Sequence, residues 1–293
     1  MHLHGSLELR LYPFIVAAVV LEVVVYLAFQ RRAYPWKEMV SSVVIHVARL
    51  PLRLIAPLTI APIALFLWSH RVFTIPLDSA WGLALLFLGT EFAYYWQHRL
   101  GHEVRWMWAT HVVHHTPEHI HLASAFRIGV TEFLSGNWLF RLPLYLLGLN
   151  PVAVAGMMTI NLFYQFWLHT DLIGRLGPVE WVFNTPSHHR VHHASNPEYL
   201  DRNYGGILIV WDRLFGTFAT EGRDSRLVYG LVHPIGSLNP ARLLFAEWIA
   251  MGHDVASARN WRERWSQLFC RPANSLAARA QPVGYSALTA GAE

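Results

Sequence analysis

Eighteen of the 293 residues are histidine, and twelve of them fall between His98 and His193. They are grouped. His98 and His102 stand four apart in QHRLGH, His111, His114 and His115 form HVVHH, and His189, His192 and His193 repeat that spacing in SHHRVHH, where His188 extends it. Residues three and four apart share a face of a helix, so His114 and His115 sit beside His111 while aiming to either side of it. One helix can thereby serve two metal ions. Neutral imidazole binds iron, zinc and copper, and eight or more unprotonated imidazoles gathered near a membrane surface have no rationale without a cation. A single ion takes about four to six ligands, so two ions account for the number better than one.

Several chemistries are excluded by what accompanies the histidines. The single Cys270 rules out an intramolecular disulfide and a thiolate cluster, leaving nitrogen and oxygen ligands. A zinc protease motif requires His-Glu-x-x-His, and Trp106 occupies the place of the second histidine after His102 and Glu103. Carboxylate-bridged di-iron bundles need a Glu-x-x-His pair on each of two helices, and this region has one such spacing, Glu118 to His121. An all-nitrogen site remains, and one that activates dioxygen must leave open coordination positions. His119 and His121 fall outside the boxes and are read as non-ligands. His2, His4, His46, His70, His233 and His253 are isolated and receive no role.

The elements that must carry these boxes read as membrane helices. A hydrophobic fraction of 54% against 14% charged residues departs from the soluble average. Leu11 to Phe29 is long enough to cross a hydrocarbon core of about 30 Å and does not read as a cleavable signal. Glu22 within it is a carboxylate in a membrane segment, whose ordinary role is to pair with another span and whose alternative is functional. Further apolar segments run over residues 52–68, 80–96, 131–149 and 152–168. The second contains Pro57 and Pro62 and the fourth Arg141 and Pro143, which predict kinked, tilted or re-entrant segments. The +4 charge is scattered, so nucleic-acid binding is excluded. Basic residues after the first span, before the second and after the third (Arg31, Arg32, Arg49, Arg53, Arg99, Arg105) share a side with the boxes, which predicts a cytoplasmic face with Arg71 as the exception. Residues 205–218 are too short to span and read as interfacial or packed, residues 240–270 have helical spacing, and the last twenty or so look frayed.

The motifs EFAYYWQHRLGHE, WMWATHVVHHTPE and NTPSHHRVHHASNPEYLDRNYGGILIVWDRLFGTF together resemble the fatty acid hydroxylase and sterol desaturase superfamily, and the third resembles its alkylglycerol monooxygenase branch. The resemblance covers roughly residues 87–218. It implies metal ligation by His98, His102, His111, His114, His115, His189, His192 and His193, adds His169 in WLHTDLIG, and extends less directly to His188. Two departures stand out: Gln165 replaces a histidine that some members carry four residues before the one matching His169, and HIHLASAFRIG replaces a segment ending in Leu-Arg-Gln. Glu103 is a candidate to bind a metal or hold a ligating imidazole in its tautomer, and Asp201, Asp212 and Asp171 are candidates to hold a ligating imidazole. Asn184 with Pro186 starts a turn, and Gly205 and Gly206 allow a tight bend.

Together these features predict an all-α integral membrane protein with four to five membrane helices and a cytoplasmic helical cap, one catalytic unit over residues 1–293 whose core precedes interfacial helices and a tail at 219–293. The resemblance implies two iron ions that use O2 to hydroxylate a lipid C–H bond. Desaturation starts with the same hydrogen abstraction and stays open, as does the electron donor, whether a protein or a small reductant. Tetrahydrobiopterin is implied by the resemblance to the alkylglycerol monooxygenase branch alone. A membrane metal carrier or sensor is the rival from another class, but carriers place ligands near the midplane of their spans. A zinc hydrolase using metal-activated water is the third reading.

Overall fold

The computed structural model describes residues 2–222 and 226–274, which form eleven α-helices joined by short 3-10 turns, with no β-strand among them. The expected frayed C-terminal residues lie outside the described residues.

Helix α1 (His2–Val24) runs on through a π-helical turn at Val25–Phe29. Its segment Arg10–Phe29 is the one helix among the described residues long and apolar enough to cross a membrane. Phe14, Val16, Val20 and Leu21 face outward on it, while Glu22 and Tyr26 are buried. Helix α2 (Trp36–Ser69) is a single helix that begins well before the predicted second segment, and its apolar stretch is Leu58–Ser69. Helix α3 (Ala80–Glu103) is capped by Ser79, whose hydroxyl accepts from the Gly82 amide, as expected of an N-cap serine. Buried Thr90 and Glu91 dilute its apolar character. Helix α4 (Arg105–His111) follows after a one-residue break at Val104 and tightens into a 3-10 turn at Val112–His115.

The predicted fourth segment is not one helix. It is broken into α5 (Glu132–Ser135), a 3-10 turn at Asn137–Arg141 and α6 (Leu142–Leu146). Gly136 ends α5 at φ 81°, and Gly148 follows α6 at φ 106°, where a Cβ would stand 2.2 Å from the Phe73 carbonyl oxygen. Both positions lie in the left-handed region that glycine tolerates. Helix α7 (Pro151–Phe166) has Asn150 as its N-cap and proline at its first position. Then come α8 (Pro186–His193), α9 (Val210–Phe215), α10 (Pro240–Ser257) and α11 (Trp261–Phe269).

The fold has two ends. At one, the α2–α3 connection meets the α6–α7 connection, with Val72 N–H donating to Leu146 and Ile75 N–H to Gly148. At the other, the exit of α1 reaches Asp171 beyond α7, the start of α2 reaches His119, and α3 runs into α4. One core fills the space between α2, α3, α6 and α7, with Leu86, Ala93, Leu144, Leu149 and Val154 buried. A second packs the turn after α4 against α2 and α10 through Ile45, Val112, Val113, Leu243 and Leu244. Arg105 is fully buried and donates to Glu247 and Asp254, each at 2.7 Å. Beyond its place in the charge pattern, Arg105 thus seats α10 over the box-bearing end.

Candidate metal centre

Four segments deliver the histidines to that end. His98 and His102 lie on the last turns of α3, one turn apart. His111 closes α4, and the 3-10 turn carries His114 and His115. His169 follows α7, and α8 carries His189, His192 and His193. Every residue of α8 is buried, with Pro186 at its first position after Thr185.

Nine imidazoles form two groups. His98, His102, His111, His115 and His192 make one, His114, His169, His189 and His193 the other, and within each group one nitrogen per ring lies within 4.8 Å of all the rest. The two repeated boxes divide in complementary fashion. HVVHH gives its i,i+4 pair, His111 and His115, to the first group and His114 to the second. The other box gives His189 and His193 to the second group and His192 to the first. The helical offsets of three and four thus sort the ligands.

Backbone carbonyls set the tautomers. Nδ1 of His98 faces the Tyr204 oxygen at 2.8 Å, that of His114 Arg127 at 3.2 Å, that of His169 Gln165 at 2.8 Å and that of His192 Arg202 at 2.9 Å. A carbonyl only accepts, so each Nδ1 carries the hydrogen and each neutral ring is left with a lone pair on Nε2. Those Nε2 atoms point inward. His114 and His169 face each other Nε2 to Nε2 at 3.2 Å, an approach of two lone pairs with no proton to share. Nε2–Nε2 separations are 3.1 Å for His98 with His111, 3.2 Å for His111 with His115, 2.9 Å for His169 with His189 and 3.1 Å for His189 with His193. Nitrogens bound about 2.0–2.1 Å from one metal stand about 3 Å apart when adjacent and about 4 Å apart when opposite. The Nε2 atoms of His102 and His192 are buried without a hydrogen-bond partner among the described residues. Burial holds His98 down to about 3 and His114 to about 4. Burial together with neighbouring imidazoles holds the other seven well below the ordinary histidine range. The donors therefore fit a pair of cations: neutral, convergent and spaced as cis ligands.

The remaining candidates fall elsewhere. His188 is buried outside both groups, its ring edge-on to Phe218 and its Nδ1 without a partner among the described residues. Glu103 meets the guanidiniums of Arg99 at 3.2 Å and Arg271 at 3.3 Å, in place of the imidazole expected for it. The Asp201 carboxylate lies 3.6 Å from His102 Nδ1, beyond hydrogen-bond distance. Asp212 accepts from the Tyr204 and Gly205 amides, each at 2.7 Å, and so steadies the loop whose carbonyls orient His98 and His192. Asp171 is taken by Tyr26 and Arg32. Gln165 accepts from the Tyr94 hydroxyl at 2.8 Å and donates to Asn161 at 2.5 Å, so its amide is engaged away from the histidines. His119 pairs with Glu38 at 2.6 Å, and His121 lies 3.4 Å from the Tyr34 hydroxyl, both outside the groups. Gly205 and Gly206 do not adopt positive φ; Asp201 and Asn203 do. The glycines provide space, since a Cβ would stand 2.3 Å from the Leu208 oxygen at Gly205 and 2.1 Å from Asn161 Nδ2 at Gly206.

Sequence reading missed the four orienting carbonyls, which carry no side-chain signal, and two buried arginines. Arg127 is fully buried beside His114, and Arg190 in the last box donates to the Thr170 and Ile173 carbonyls at 3.1 and 2.7 Å, tying α8 to the His169 loop.

Residues 83–217, which hold all nine histidines, match the fatty acid hydroxylase family. The chain is similar to alkylglycerol monooxygenases. It is 50% identical to the Danio rerio enzyme over 174 residues, 59% of this chain and 38% of the relative. It is 41% identical to the Homo sapiens enzyme over 209 residues, 71% of this chain and 46% of the relative. An ornithine lipid hydroxylase of Rhizobium tropici is 33% identical over 141 residues, 48% of this chain and 43% of the relative. The chain thus spans less than half the length of the alkylglycerol monooxygenases named here. No solved structure matches it.

Proposed function

We propose that this chain is a membrane lipid hydroxylase in which the two histidine groups hold two iron ions. The observation that carries the reading is the convergence of Nε2 atoms at 2.9–3.2 Å in two groups, His114 and His169 meeting lone pair to lone pair, within a segment that matches the fatty acid hydroxylase family. His98, His102, His111, His115 and His192 would hold one ion and His114, His169, His189 and His193 the other. Five and four nitrogens leave coordination positions for dioxygen. Bound iron would supply dioxygen binding and electron transfer; a C–H bond would become C–OH while the second oxygen atom leaves as water, with two electrons and two protons from an external donor. The protein's own contribution is to keep nine imidazoles neutral, fix the tautomers of His98, His114, His169 and His192 through backbone carbonyls and exclude water by burial. By similarity to the relatives above, the substrate is a lipid, with alkylglycerol ethers as the first class to test.

The whole chain acts as one catalytic unit, and it is multi-pass. Support comes from α1, α2, α3 and α7, which run between the two ends and expose apolar side chains such as Phe14, Val47, Leu85 and Ile160 to their surroundings. In this reading residues 116–150 return the chain to the far end without a continuous helix, and the histidine-bearing end is cytoplasmic.

Purification under reducing conditions, iron and zinc analysis, and oxygen uptake against alkylglycerols, sterols and acyl lipids test the proposal. We expect two irons per chain and uptake coupled to one lipid class. Zinc alone with no uptake on any lipid would overturn it.

A further inference from the structure

Three segments meet at one carboxylate that the metal centre does not include. Glu22 lies in α1, outside the family-matched residues, and is 2% exposed. Its oxygens accept from the Tyr34 hydroxyl at 3.0 Å, the Thr170 hydroxyl at 2.9 Å and the Leu122 amide at 2.9 and 3.1 Å. A carboxylate in a membrane segment is costly unless such donors satisfy it. Here they come from three separate parts of the chain.

Both distant anchors lead to the same histidine group. Thr170 directly follows His169. Leu122 opens the 3-10 turn Leu122–Phe126, and Arg127 at its end supplies the carbonyl that accepts from His114 Nδ1. A second tie reinforces the first: Asp171 accepts from the Tyr26 hydroxyl and from Arg32 at 3.0 Å, both from the exit of α1. The orienting contacts of the five-histidine group belong to a different network. Tyr204 and Arg202 lie in a loop held by Asp212, and Glu91 accepts from the Ile207 and Leu208 amides at 2.8 and 2.9 Å.

We propose that Glu22 is a positioning residue for the four-histidine group, through which α1 holds His169 and His114 at ligating distance. The inference rests on the two-metal reading. It makes α1 part of the centre as well as an anchor, and it divides support for the two ions between separate halves of the molecule. Removing Glu22 then frees Thr170 and Leu122 together while leaving residues 201–206 in place.

The test uses the full chain in detergent, with wild type, Glu22→Ala, Glu22→Gln and Thr170→Val. Iron per chain is measured by metal analysis and Mössbauer spectroscopy. Amide hydrogen exchange is measured on the iron-free protein. Glu22→Ala is expected to hold one iron in place of two, with exchange at residues 168–173 and 121–128 about tenfold faster, as befits the loss of one or two hydrogen bonds, and unchanged at 201–206. Thr170→Val, near-isosteric and lacking one donor, is expected to weaken the same iron alone. Glu22→Gln is expected to restore it, because the amide oxygen still accepts from Leu122 and from one of the two hydroxyls, while the other, of Tyr34 or Thr170, can turn to accept from the amide nitrogen. Two irons and wild-type exchange in Glu22→Ala would overturn the inference, as would loss of both irons with protection lost at 201–206. Wild type that binds no metal pair would overturn the two-metal reading instead, while exchange would still report on Glu22.

Discussion

At the scale of single residues, the carboxylates beside the boxes separate by what they touch. Asp201 stands 3.6 Å from His102 Nδ1, beyond hydrogen-bond distance, so it acts on that imidazole as a neighbouring charge. Asp201→Asn is expected to weaken metal binding about tenfold, read by chelator competition. Glu103 sits between two partly exposed guanidiniums, and such pairs contribute within about 1 kcal/mol. Glu103→Gln is expected to leave metal affinity unchanged. The histidines also set a pH dependence. Their folded pKa values lie below the unfolded value of about 6.5, with burial as the first cause. The unfolded chain then binds more protons between those values, so the stability of metal-free protein rises with pH across that window. It is expected to be fully present above about 6.5 and to fall as pH drops toward the folded values of about 4 and 3. Unfolding of stripped protein at pH 7.5 and pH 5 checks the sign.

At the scale of elements, helix geometry accounts for the sorting of ligands and buried charge for the seating of the cap. The offsets in HVVHH and HHRVHH were legible because periodicity is local, and the structure divides both boxes at those offsets. Arg141 and Pro143 marked the segment at 131–149 as irregular, but the places where it breaks were not legible, because its apolar content masks the left-handed glycines at 136 and 148. Arg105 holds α10 through Glu247 and Asp254. Its removal leaves two carboxylates largely buried without their cation, a change that costs about 3–5 kcal/mol. Arg105→Ala is expected to lower the melting temperature in detergent and to open α10 and α11 to limited proteolysis, while residues 80–100 stay protected.

At the scale of the whole molecule, the two ends make the proposed orientation testable. Asp78 lies in the connection at the far end and Glu198 beside the last box, and both are exposed. In a Cys270→Ser background, Asp78→Cys and Glu198→Cys are expected to react with an impermeant maleimide from opposite sides of the membrane, Glu198→Cys from the cytoplasm. Labelling of both from one side would remove the multi-pass arrangement, and a reversed pattern would remove the sidedness.

Sequence alone pointed to the helical class and to the box histidines as ligands for more than one ion, since ligand type and spacing are properties of residue identity and helical period, while His169 came from the family resemblance. It also marked Glu22 as out of place in an apolar segment. Only the tertiary structure decided which imidazoles share a group, which tautomer four of them adopt and where Glu22 points. Those depend on backbone carbonyls at Arg127, Gln165, Arg202 and Tyr204 and on contacts between residues about a hundred or more positions apart, such as Glu22 with Leu122 and Thr170. A carbonyl is present at every position, so no pattern of side chains reveals which of them will face a histidine.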